Sequence, residues 1–323
     1  GVDTIFGYPG GQIMPLYDAL YDYRDEIKHV LTSHEQGATH AADGYARSTG
    51  KVGVAFATSG PGATNTVTGI ATAFMDSIPM VVITGQVPLS LIGKDSFQEV
   101  DIAGITIPIT KHNFFVSRVE DIAGCIREAF NIARSGRPGP VLVDVPKDLM
   151  VKLCEYTPET PAPPAEPPEL FTEADINALA ESINKAERPL IYAGGGVITA
   201  KASDKLVKLA EKADIPVVST LMNLGAIPRD HKLSLGMVGM HGSKEANQAV
   251  YNSDLLIAIG ARFSDRVTGD VNSFAKNAKI VQIDIDNSEI DKNVLVDSAL
   301  VGDINVILDK VISEISDSEH PEW

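Results

Sequence analysis

Short runs of apolar residues alternate along the chain with longer segments in which apolar residues recur every three or four positions. In the first half the runs are DTIFGY, HVLTS, VGVAFAT, MVVITGQ and PVLVDVP, and the helical pattern covers residues 13–24, 35–48, 63–74 and 121–135. In the second half the runs are PLIYAGG, IPVVST, DLLIAIGA and KIVQIDID, and the helical pattern covers residues 172–185, 202–213, 244–250 and 303–315. Apolar strands that alternate with helices are typical of parallel sheets covered on both faces. The pattern therefore predicts an α/β protein with two doubly wound parallel-sheet domains.

A proline-rich segment separates the two halves. Residues 155–170, EYTPETPAPPAEPPEL, hold six prolines and almost no large apolar side chains, a composition that favours an extended, semi-rigid chain. We therefore predict a first domain over residues 1–152, a linker over 153–170 and a second domain over 171–317. Residues 318–323 are expected to begin a further linker.

Composition and charge narrow the functional class. The 323 residues are 44% hydrophobic and carry a formal charge of −16, which argues against a nucleic-acid partner because no basic surface is indicated. No apolar run approaches the length of about 18 residues that a membrane helix needs, and the first residues do not resemble a signal peptide. Cys125 reads as part of a helix core, and neither it nor Cys154 has metal or redox spacing, which favours a reducing, cytoplasmic location.

One carboxylate lies on an apolar helix face. In SHEQGATHAADGYAR, residues 33–47, Glu35 precedes Ala38 by three residues and Ala42 by seven, so it shares their stripe. A capping box formed by Ser33 and Gln36 would explain an acid in the first helical turn, but it would not explain why that acid faces the core. The alternative is a buried proton-transfer group, since carboxylates in clefts are candidates for this role.

Glycine-rich turns follow the first and third predicted strands, at GYPGG and TSGPGATN. Ligands of doubly wound sheets bind at the carboxyl ends of the strands, where glycine allows a close backbone approach. Neither turn has the Gly-Lys-Ser/Thr ending of a phosphate loop, and tight strand-to-helix turns alone would also explain the glycines.

The second half has comparable turns at GGG, STLMNLG, GMHG, GARFSDR and IDID. Arg262 and Arg266 could neutralise phosphates, and Asp284 at a strand end could bind ribose hydroxyls. The full dinucleotide fingerprint is absent, and both arginines could instead pair with nearby acids on the surface.

Several of these motifs together resemble one enzyme family. GYPGG, HEQGATHAADGYAR, TSGPGATN, ITGQVP, DSFQEVD, TKHN, SGRPGPVLVDVPKD, GMHG and GARFSDRVTG occur in that order. They resemble the catalytic, or large, subunit of acetolactate synthase (acetohydroxyacid synthase), a thiamine-diphosphate enzyme family, over essentially the whole chain. The resemblance implies a thiamine-diphosphate pyrimidine-side domain followed by a Rossmann-like central FAD domain.

The resemblance implies a transferase. In the family, the glutamate that matches Glu35 hydrogen-bonds the N1′ atom of the aminopyrimidine ring and promotes loss of the C2 proton. Pyruvate is decarboxylated and joined to a second 2-keto acid, either pyruvate or 2-ketobutyrate, in the synthesis of valine, leucine and isoleucine.

The matching positions predict the site residues of each ligand. Glu35, Gln98 and Lys111 are expected to be catalytic, and Tyr8, Gly10, Gly11, Thr58, Pro61 and Asn65 to bind thiamine diphosphate. Pro88, Phe97 and Lys147 are expected to line the substrate channel. FAD is expected to contact Arg137, Gly194, Gly195, Gly196, Thr220, Leu221, Met222, Gly239, Met240, His241, Gly260, Arg262, Arg266, Asp284 and Asp303.

The chain also departs from the family pattern. Family members are about twice as long and carry a third domain, in which Gly-Asp-Gly and a later Asn bind Mg²⁺; this sequence lacks that motif, so no metal ligands are predicted here. We therefore expect a fragment that is inactive alone. Ser264 also stands where many relatives have Asp.

The resemblance implies partners and a location. A homodimer or tetramer of the full-length chain would complete the site, so that Glu35 serves a cofactor anchored on a partner chain, and a small regulatory subunit is expected. No nucleic acid or membrane partner is expected. The location would be the cytoplasm of a bacterium or archaeon, or a plastid if a transit peptide has been lost.

Two alternatives remain open at this point. The chain could belong to another thiamine-diphosphate enzyme, such as a pyruvate oxidase; a glyoxylate carboligase is disfavoured because that enzyme lacks the glutamate matched by Glu35. It could also be a non-catalytic two-domain protein that binds FAD or a partner chain.

Overall fold

The computed structural model describes residues 1–160, 163, 165–167, 169–320 and 323. The chain divides into two compact units, Gly1–Glu166 and Pro167–Trp323, and the division falls within the proline-rich segment. Parts of the predicted linkers, namely residues 161, 162, 164, 168, 321 and 322, lie outside the described residues. The predicted domain limits stay a prediction.

The first unit contains a six-stranded sheet whose strand pairs are all parallel. Its strands are β1 (Thr4–Gly7), β2 (Lys28–Leu31), β3 (Gly53–Ala57), β4 (Met80–Gln86), β5 (His112–Phe115) and β6 (Pro140–Pro146), in the spatial order β2-β1-β3-β4-β6-β5. Its helices are α1 (Met14–Asp22), α2 (Glu35–Thr49), α3 (Pro61–Asn65), α4 (Val67–Met75), α5 (Ile102–Thr106), α6 (Ile122–Arg134) and α7 (Lys147–Met150). This confirms the predicted parallel α/β fold.

The central strands of this sheet are buried on both faces. Every residue of β3, β4 and β6 is buried. Val81 and Val143 pack into one hydrophobic cluster and Val82 and Leu142 into another, because side chains alternate between the two faces of a strand. The continuous apolar runs in the sequence are therefore the consequence of helices on both faces.

The second unit repeats the architecture with six further parallel strands. They are β7 (Pro189–Ala193), β8 (Val217–Ser219), β9 (Ser234–Met237), β10 (Leu255–Ile259), β11 (Lys279–Asp284) and β12 (Ser298–Val301), in the order β12-β11-β10-β7-β8-β9. The helices are α8 (Glu173–Lys185), α9 (Gly195–Thr199), α10 (Ser203–Lys212), α11 (Lys244–Asn252), α12 (Asp265–Thr268) and α13 (Ile304–Glu314). This is the predicted Rossmann-like arrangement.

Three strands escaped the sequence pattern, namely β5, β9 and β12. All three lie at sheet edges, where only one neighbouring strand pairs with them. Their residues are largely half-buried or exposed, so they form no continuous apolar run. In the described part of the chain, no helix is long and apolar enough to cross a membrane.

Candidate functional site

The carboxyl ends of β1 and β3 bring two glycine-rich turns into direct contact. A Cβ atom at Gly10 would lie 2.5 Å from the Cβ atom of Thr58, and the backbone N–H of Gln12 donates a hydrogen bond of 3.1 Å to Thr58 Oγ1. Tyr8, Gly11 and Pro61 remain exposed at the same edge of the sheet. The turns thus form one continuous surface on which backbone and hydroxyl groups meet.

Glu35 is the first residue of α2 and only 7% exposed. The residue that caps the helix is His34, whose Nδ1 accepts a hydrogen bond of 3.1 Å from the backbone N–H of Gln36. The prediction that Ser33 forms the capping box is therefore wrong, because the helix begins one residue later than that box requires. The apolar stripe was predicted correctly, since Ala38 and Ala42 are buried.

A second turn holds the carboxylate of Glu35. Asn65, the last residue of α3, donates a hydrogen bond of 3.0 Å from Nδ2 to Glu35 Oε2. On the other side, a Cβ at Gly62 would lie 3.1 Å from Glu35 Oε1. A Cβ there would also lie 2.7 Å from Thr58 Cγ2, so glycine at position 62 allows α3 to pack closely against both Glu35 and Thr58.

Tyr17 is a neighbour that the sequence did not indicate. Burial raises the pKa of the Tyr17 hydroxyl, and the charge of Glu35 raises that pKa further. A Cβ atom at position 7 would lie only 2.3 Å from the Tyr17 hydroxyl oxygen, so there is no room for a side chain there. Glycine at the end of β1 is thus required by the packing of α1 as well as by any ligand.

The segment that carries the predicted substrate residues follows β4. Gln98 is half-buried, with a left-handed backbone φ of +60°, and its carbonyl oxygen lies 2.6 Å from where a Cβ of Gly60 would be. Phe97 is 84% exposed, and Pro88 is half-buried at the start of the segment. Gln98 therefore lies against the turn that contains the Glu35 neighbours, and Phe97 projects from it.

The two predicted lysines lie at opposite ends of the strands, one at the carboxyl ends and one at the amino ends. Lys147 is the first residue of α7, directly after β6, and so lies at the same carboxyl edge as Glu35. Lys111 precedes β5, and its ammonium donates hydrogen bonds to the carbonyl oxygens of Ile132 and Ser135 at the end of α6. Within this unit the structure does not bring Lys111 to Glu35, so its catalytic role stays a prediction.

A buried carboxyl group in the middle of the sheet was also missed by the sequence interpretation. Asp144 in β6 is 2% exposed and accepts hydrogen bonds from Thr84 Oγ1 (2.7 Å) and Gln86 Nε2 (3.0 Å) of β4. Burial raises the pKa of Asp144 to about 6; the two hydrogen bonds oppose this rise and the charge of Asp101 adds to it. The available signal was an acidic residue within the apolar run PVLVDVP.

In the second unit, the turn after β7 packs directly against the turn after β10. A Cβ at Gly194 would lie 2.1 Å from the carbonyl oxygen of Gly260, and one at Gly196 would lie 2.7 Å from the Cα of Gly260. Gly260 itself has a φ of +57°. Only glycine allows these backbones to meet, and the amino end of the short helix α9 then lies at the carboxyl edge of the sheet.

Polar atoms without partners line the adjoining turn after β8. Among the described residues, Thr220 Oγ1 and Asn223 Oδ1 are buried and have no hydrogen-bond partner. Next to them Leu221 is 68% and Met222 37% exposed, and a Cβ at Gly195 would lie 3.0 Å from Met222 Cβ. Buried polar groups are normally satisfied, so these atoms mark a surface that suits a ligand with both polar and apolar parts.

The remaining predicted FAD residues follow the other strands. Gly239, Met240 and His241 come after β9, Arg262 and Arg266 after β10, Asp284 ends β11 and Asp303 follows β12. The backbone N–H of Met240 donates to the carbonyl of Arg266 over 2.8 Å, so these two turns are joined. Arg266 approaches Asp265 at 3.9 Å between exposed side chains, an ion pair that contributes little.

Two predicted FAD residues have structural contacts of their own. Asp303 Oδ1 accepts a hydrogen bond of 2.7 Å from the backbone N–H of Asn305, which caps α13. Arg137 belongs to the first unit, where its Nε donates to Ser77 Oγ over 2.8 Å. Their roles in binding FAD stay predictions.

The fold and both sheet edges agree with comparisons against known proteins. Residues 1–105 match the family described as thiamine pyrophosphate enzyme, N-terminal TPP binding domain, and residues 176–311 match thiamine pyrophosphate enzyme, central domain. The chain belongs to the thiamine pyrophosphate enzyme family. Glu35, Asn65 and Gln98 fall inside the first matched range.

Individual relatives of the chain are named as acetolactate synthases. The chain is 54% identical to the acetolactate synthase large subunit of Parasynechococcus marenigrum over 322 residues, which cover 98% of this chain and 52% of the relative. It is 52% identical to a probable acetolactate synthase large subunit of Methanocaldococcus jannaschii over 338 residues, 99% of this chain and 55% of the relative. The acetolactate synthase of Mycobacterium bovis is 53% identical over 315 residues, 97% of this chain and 51% of that protein. The chain thus spans about half the length of these relatives.

The two sheet edges fit the ligands that the sequence indicates. At the first edge, a buried carboxylate that is held by one hydrogen bond from Asn65 suits a further hydrogen bond with a polar ring such as the pyrimidine of thiamine diphosphate. At the second edge, closely packed glycines, unpaired buried polar atoms and exposed apolar side chains suit a dinucleotide. The described residues contain no cluster of three or more acidic, histidine or cysteine side chains arranged to hold a metal ion.

Proposed function

We propose that this chain forms the pyrimidine-side and central parts of an acetolactate synthase catalytic subunit. The proposed reaction decarboxylates pyruvate and joins the resulting two-carbon unit to a second 2-keto acid. The products are 2-acetolactate from pyruvate and 2-aceto-2-hydroxybutyrate from 2-ketobutyrate. The observation that carries the proposal is the buried carboxylate of Glu35, held by Asn65 at the carboxyl end of the first sheet.

Glu35 acts on a proton in this proposal. When bound, thiamine diphosphate supplies an acidic carbon and an electron sink, and the protein supplies position and charge. The Glu35 carboxyl group hydrogen-bonds N1′ of the pyrimidine and holds the proton that this nitrogen exchanges. Burial makes such a hydrogen bond stronger than it would be in water, and the bond from Asn65 keeps the carboxylate oriented.

The segment after β4 supplies the substrate side of the site. Gln98 offers a side-chain amide next to the Gly60 turn, and the exposed ring of Phe97 gives an apolar wall for the short side chains of the two keto acids. Lys147 lies at the same sheet edge and brings a positive charge that would attract a carboxylate substrate. Pro88 limits the flexibility of the segment where it leaves β4.

The second unit is proposed to bind FAD along the carboxyl edge of its sheet. The hydroxyl of the half-buried Thr220 would receive a hydrogen-bond partner, and Arg262 and Arg266 lie after β10, where a diphosphate needs positive charge. Mg²⁺ and the diphosphate of thiamine would be held by residues outside this chain. We therefore propose that a homodimer or tetramer completes the site, with a small regulatory subunit, and that the protein acts in the cytoplasm.

Product analysis tests this proposal. The complete polypeptide as its gene encodes it is incubated with pyruvate, thiamine diphosphate, Mg²⁺ and FAD, and the products are identified by NMR. Acetolactate is expected, and a mixture of pyruvate and 2-ketobutyrate should give both acetohydroxy acids. Acetyl phosphate or acetate with consumption of oxygen would instead indicate an oxidase, and no product with retained FAD would indicate a binding protein.

A further inference from the structure

The buried Asp144 network continues into the segment that carries Phe97 and Gln98. The side-chain amide of Gln86 has two N–H groups. It donates to Asp144 Oδ2 over 3.0 Å and to the backbone carbonyl of Val100 over 2.9 Å. Gln86 Oε1 accepts a hydrogen bond of 2.9 Å from the backbone N–H of Val87, which fixes the orientation of the amide. Asp144 and the Val87 N–H therefore hold the Gln86 amide together, and Gln86 holds Val100.

Thr84 completes the network on the other side of the carboxyl group. Its hydroxyl donates to Asp144 Oδ1 over 2.7 Å, and Thr84, Gln86 and Asp144 are each at most 3% exposed. Such a network is costly to break, because loss of one member leaves the others buried without partners. Apolar side chains would pack equally well at these three positions of the sheet. We therefore expect the function of the network to lie in what it contacts outside the sheet, namely Val100.

In the described part of the chain, the segment between β4 and α5 has few other hydrogen bonds to the sheet, although the side chains of Leu89 and Val100 pack against the core. Near its start, the backbone N–H of Leu89 donates to Asp148 Oδ1 over 3.0 Å. In its middle, the Glu99 carboxylate accepts hydrogen bonds from the backbone N–H groups of Gly93 and Ser96, which link the segment only to itself. The bond from Gln86 to Val100 is thus the tie closest to Gln98.

The same contacts lead to the carboxylate at the first sheet edge. Val100 is two residues from Gln98, whose backbone lies against Gly60. Gly60 precedes the helix α3, which contributes Gly62 and Asn65 to the surroundings of Glu35. A shift at Val100 would therefore move Gln98 relative to the Gly60 turn without touching Glu35.

We propose that Asp144 is a positioning residue that acts through Gln86 to hold the Phe97–Gln98 segment against the turn beside Glu35. The proposal rests on the proposed function for what the segment does, but the anchoring itself is a property of the fold. Asp144 contacts no substrate in this arrangement. It fixes the place from which Gln98 and Phe97 meet the keto acids.

Hydrogen exchange tests the anchoring without any reaction. In the complete polypeptide, Asp144→Ala is expected to accelerate amide exchange of residues 93–101 roughly tenfold, whereas the strands β3, β4 and β6 change much less. Asp144→Asn should stay near wild type, because its amide can accept from Gln86 and donate to Thr84. Asp43→Asn is a matched control, since it removes a buried carboxylate paired with Arg47 that has no bond to the segment.

A double-mutant cycle tests whether Asp144 acts through Gln86. Gln86→Leu alone should accelerate exchange of residues 93–101, and Asp144→Ala should add little in that background. Unchanged exchange in Asp144→Ala would overturn the proposal. So would an equal increase throughout the sheet, or an undiminished effect in the Gln86→Leu background. If Asp144→Ala does not fold, Asp144→Ser is used with the same criteria.

Kinetics then separate positioning from proton transfer. Asp144→Ala is expected to lower kcat/KM for pyruvate about tenfold while the rate of C2 proton exchange in bound thiamine diphosphate stays within about twofold, because Glu35 keeps its own contacts. A wild-type protein without acetolactate activity would refute the proposed function and leave the exchange result valid. Equal loss of C2 exchange and turnover in Asp144→Ala would refute the positioning role.

Discussion

The two proposed ligand sites, each at the carboxyl edge of one sheet, are built in different ways. In the first unit the reactive group is a buried side chain, Glu35, and another side chain, Asn65, already satisfies part of its hydrogen-bonding capacity. In the second unit the edge is shaped by backbones that touch at Gly194 and Gly260, while Thr220 Oγ1 is left buried without a partner. The first edge holds its reactive group before a ligand arrives, although Gln12 Oε1, Tyr17 Oη and Ser59 Oγ are also buried without partners among the described residues. The second edge is shaped mainly by its backbone. A site for proton transfer needs the former, and a site for holding a large cofactor tolerates the latter.

The largest expected effect is on the rate of proton exchange and comes from replacing Glu35 in the first unit. Glu35→Gln keeps an oxygen that can accept the Asn65 hydrogen bond, so folding should change by less than about 0.5 kcal/mol. It removes the exchangeable proton, and C2 proton exchange of bound thiamine diphosphate should slow by a factor of about 10²–10⁴, measured by NMR in deuterated buffer. Unchanged exchange would mean that this carboxylate is only structural.

In the second unit, the most damaging substitution is expected to be one that disrupts the close backbone contact between Gly194 and Gly260. Gly194→Ala places a Cβ 2.1 Å from the Gly260 carbonyl oxygen, so the two turns must separate. We expect the free energy of unfolding to fall by at least about 3 kcal/mol, with loss of bound flavin, measured by denaturant titration and flavin absorbance.

A glycine without such a contact provides the control for that substitution. Gly44 lies within α2 and has open space around its Cβ position, so Gly44→Ala should raise stability by up to about 1 kcal/mol. If Gly194→Ala behaves like Gly44→Ala, close backbone packing does not define the second edge.

The contrast between the edges also explains what the sequence could predict. Period and turn chemistry are local, so the apolar stripe of α2, the exception at Glu35 and the glycine turns were readable from neighbouring residues. The edge strand β5 and the pairing of Asp144 with Thr84 and Gln86 depend on contacts across the sheet. Thr84 and Gln86 lie 60 and 58 residues before Asp144 along the chain, so no local pattern reveals this network. The His34 cap is local, but the sequence offered Ser33 as an equally good capping residue one position earlier.

A third prediction concerns Asp144, the other buried carboxyl group of the first unit, and how the unfolding free energy depends on pH. Burial holds the pKa of Asp144 at about 6 in the folded protein, above its ordinary value of 3.8. The folded state therefore binds this proton more tightly than the unfolded state. The stability that it contributes is complete below the unfolded pKa and is lost as the pH rises through about 6.

The comparison of wild type with Asp144→Asn isolates this contribution. Relative to the variant, wild type should lose roughly 2–3 kcal/mol of unfolding free energy between about pH 4 and about pH 7. Denaturant titrations at several pH values measure it, and taking the difference cancels the other carboxylates. A difference that does not vary with pH would show that folding does not change the pKa of Asp144.

The smallest effect distinguishes the two edges most directly. Thr220→Val removes a buried hydroxyl that has no partner among the described residues, so the flavin-free protein should be as stable as wild type or up to about 1 kcal/mol more stable. If FAD supplies the missing partner, the same variant should retain flavin about tenfold more weakly, whereas Thr220→Ser should keep most of the affinity. Thermal unfolding without flavin and flavin absorbance after dialysis measure the two quantities separately. A loss of stability in the flavin-free protein would show that the chain itself already satisfies the Thr220 hydroxyl.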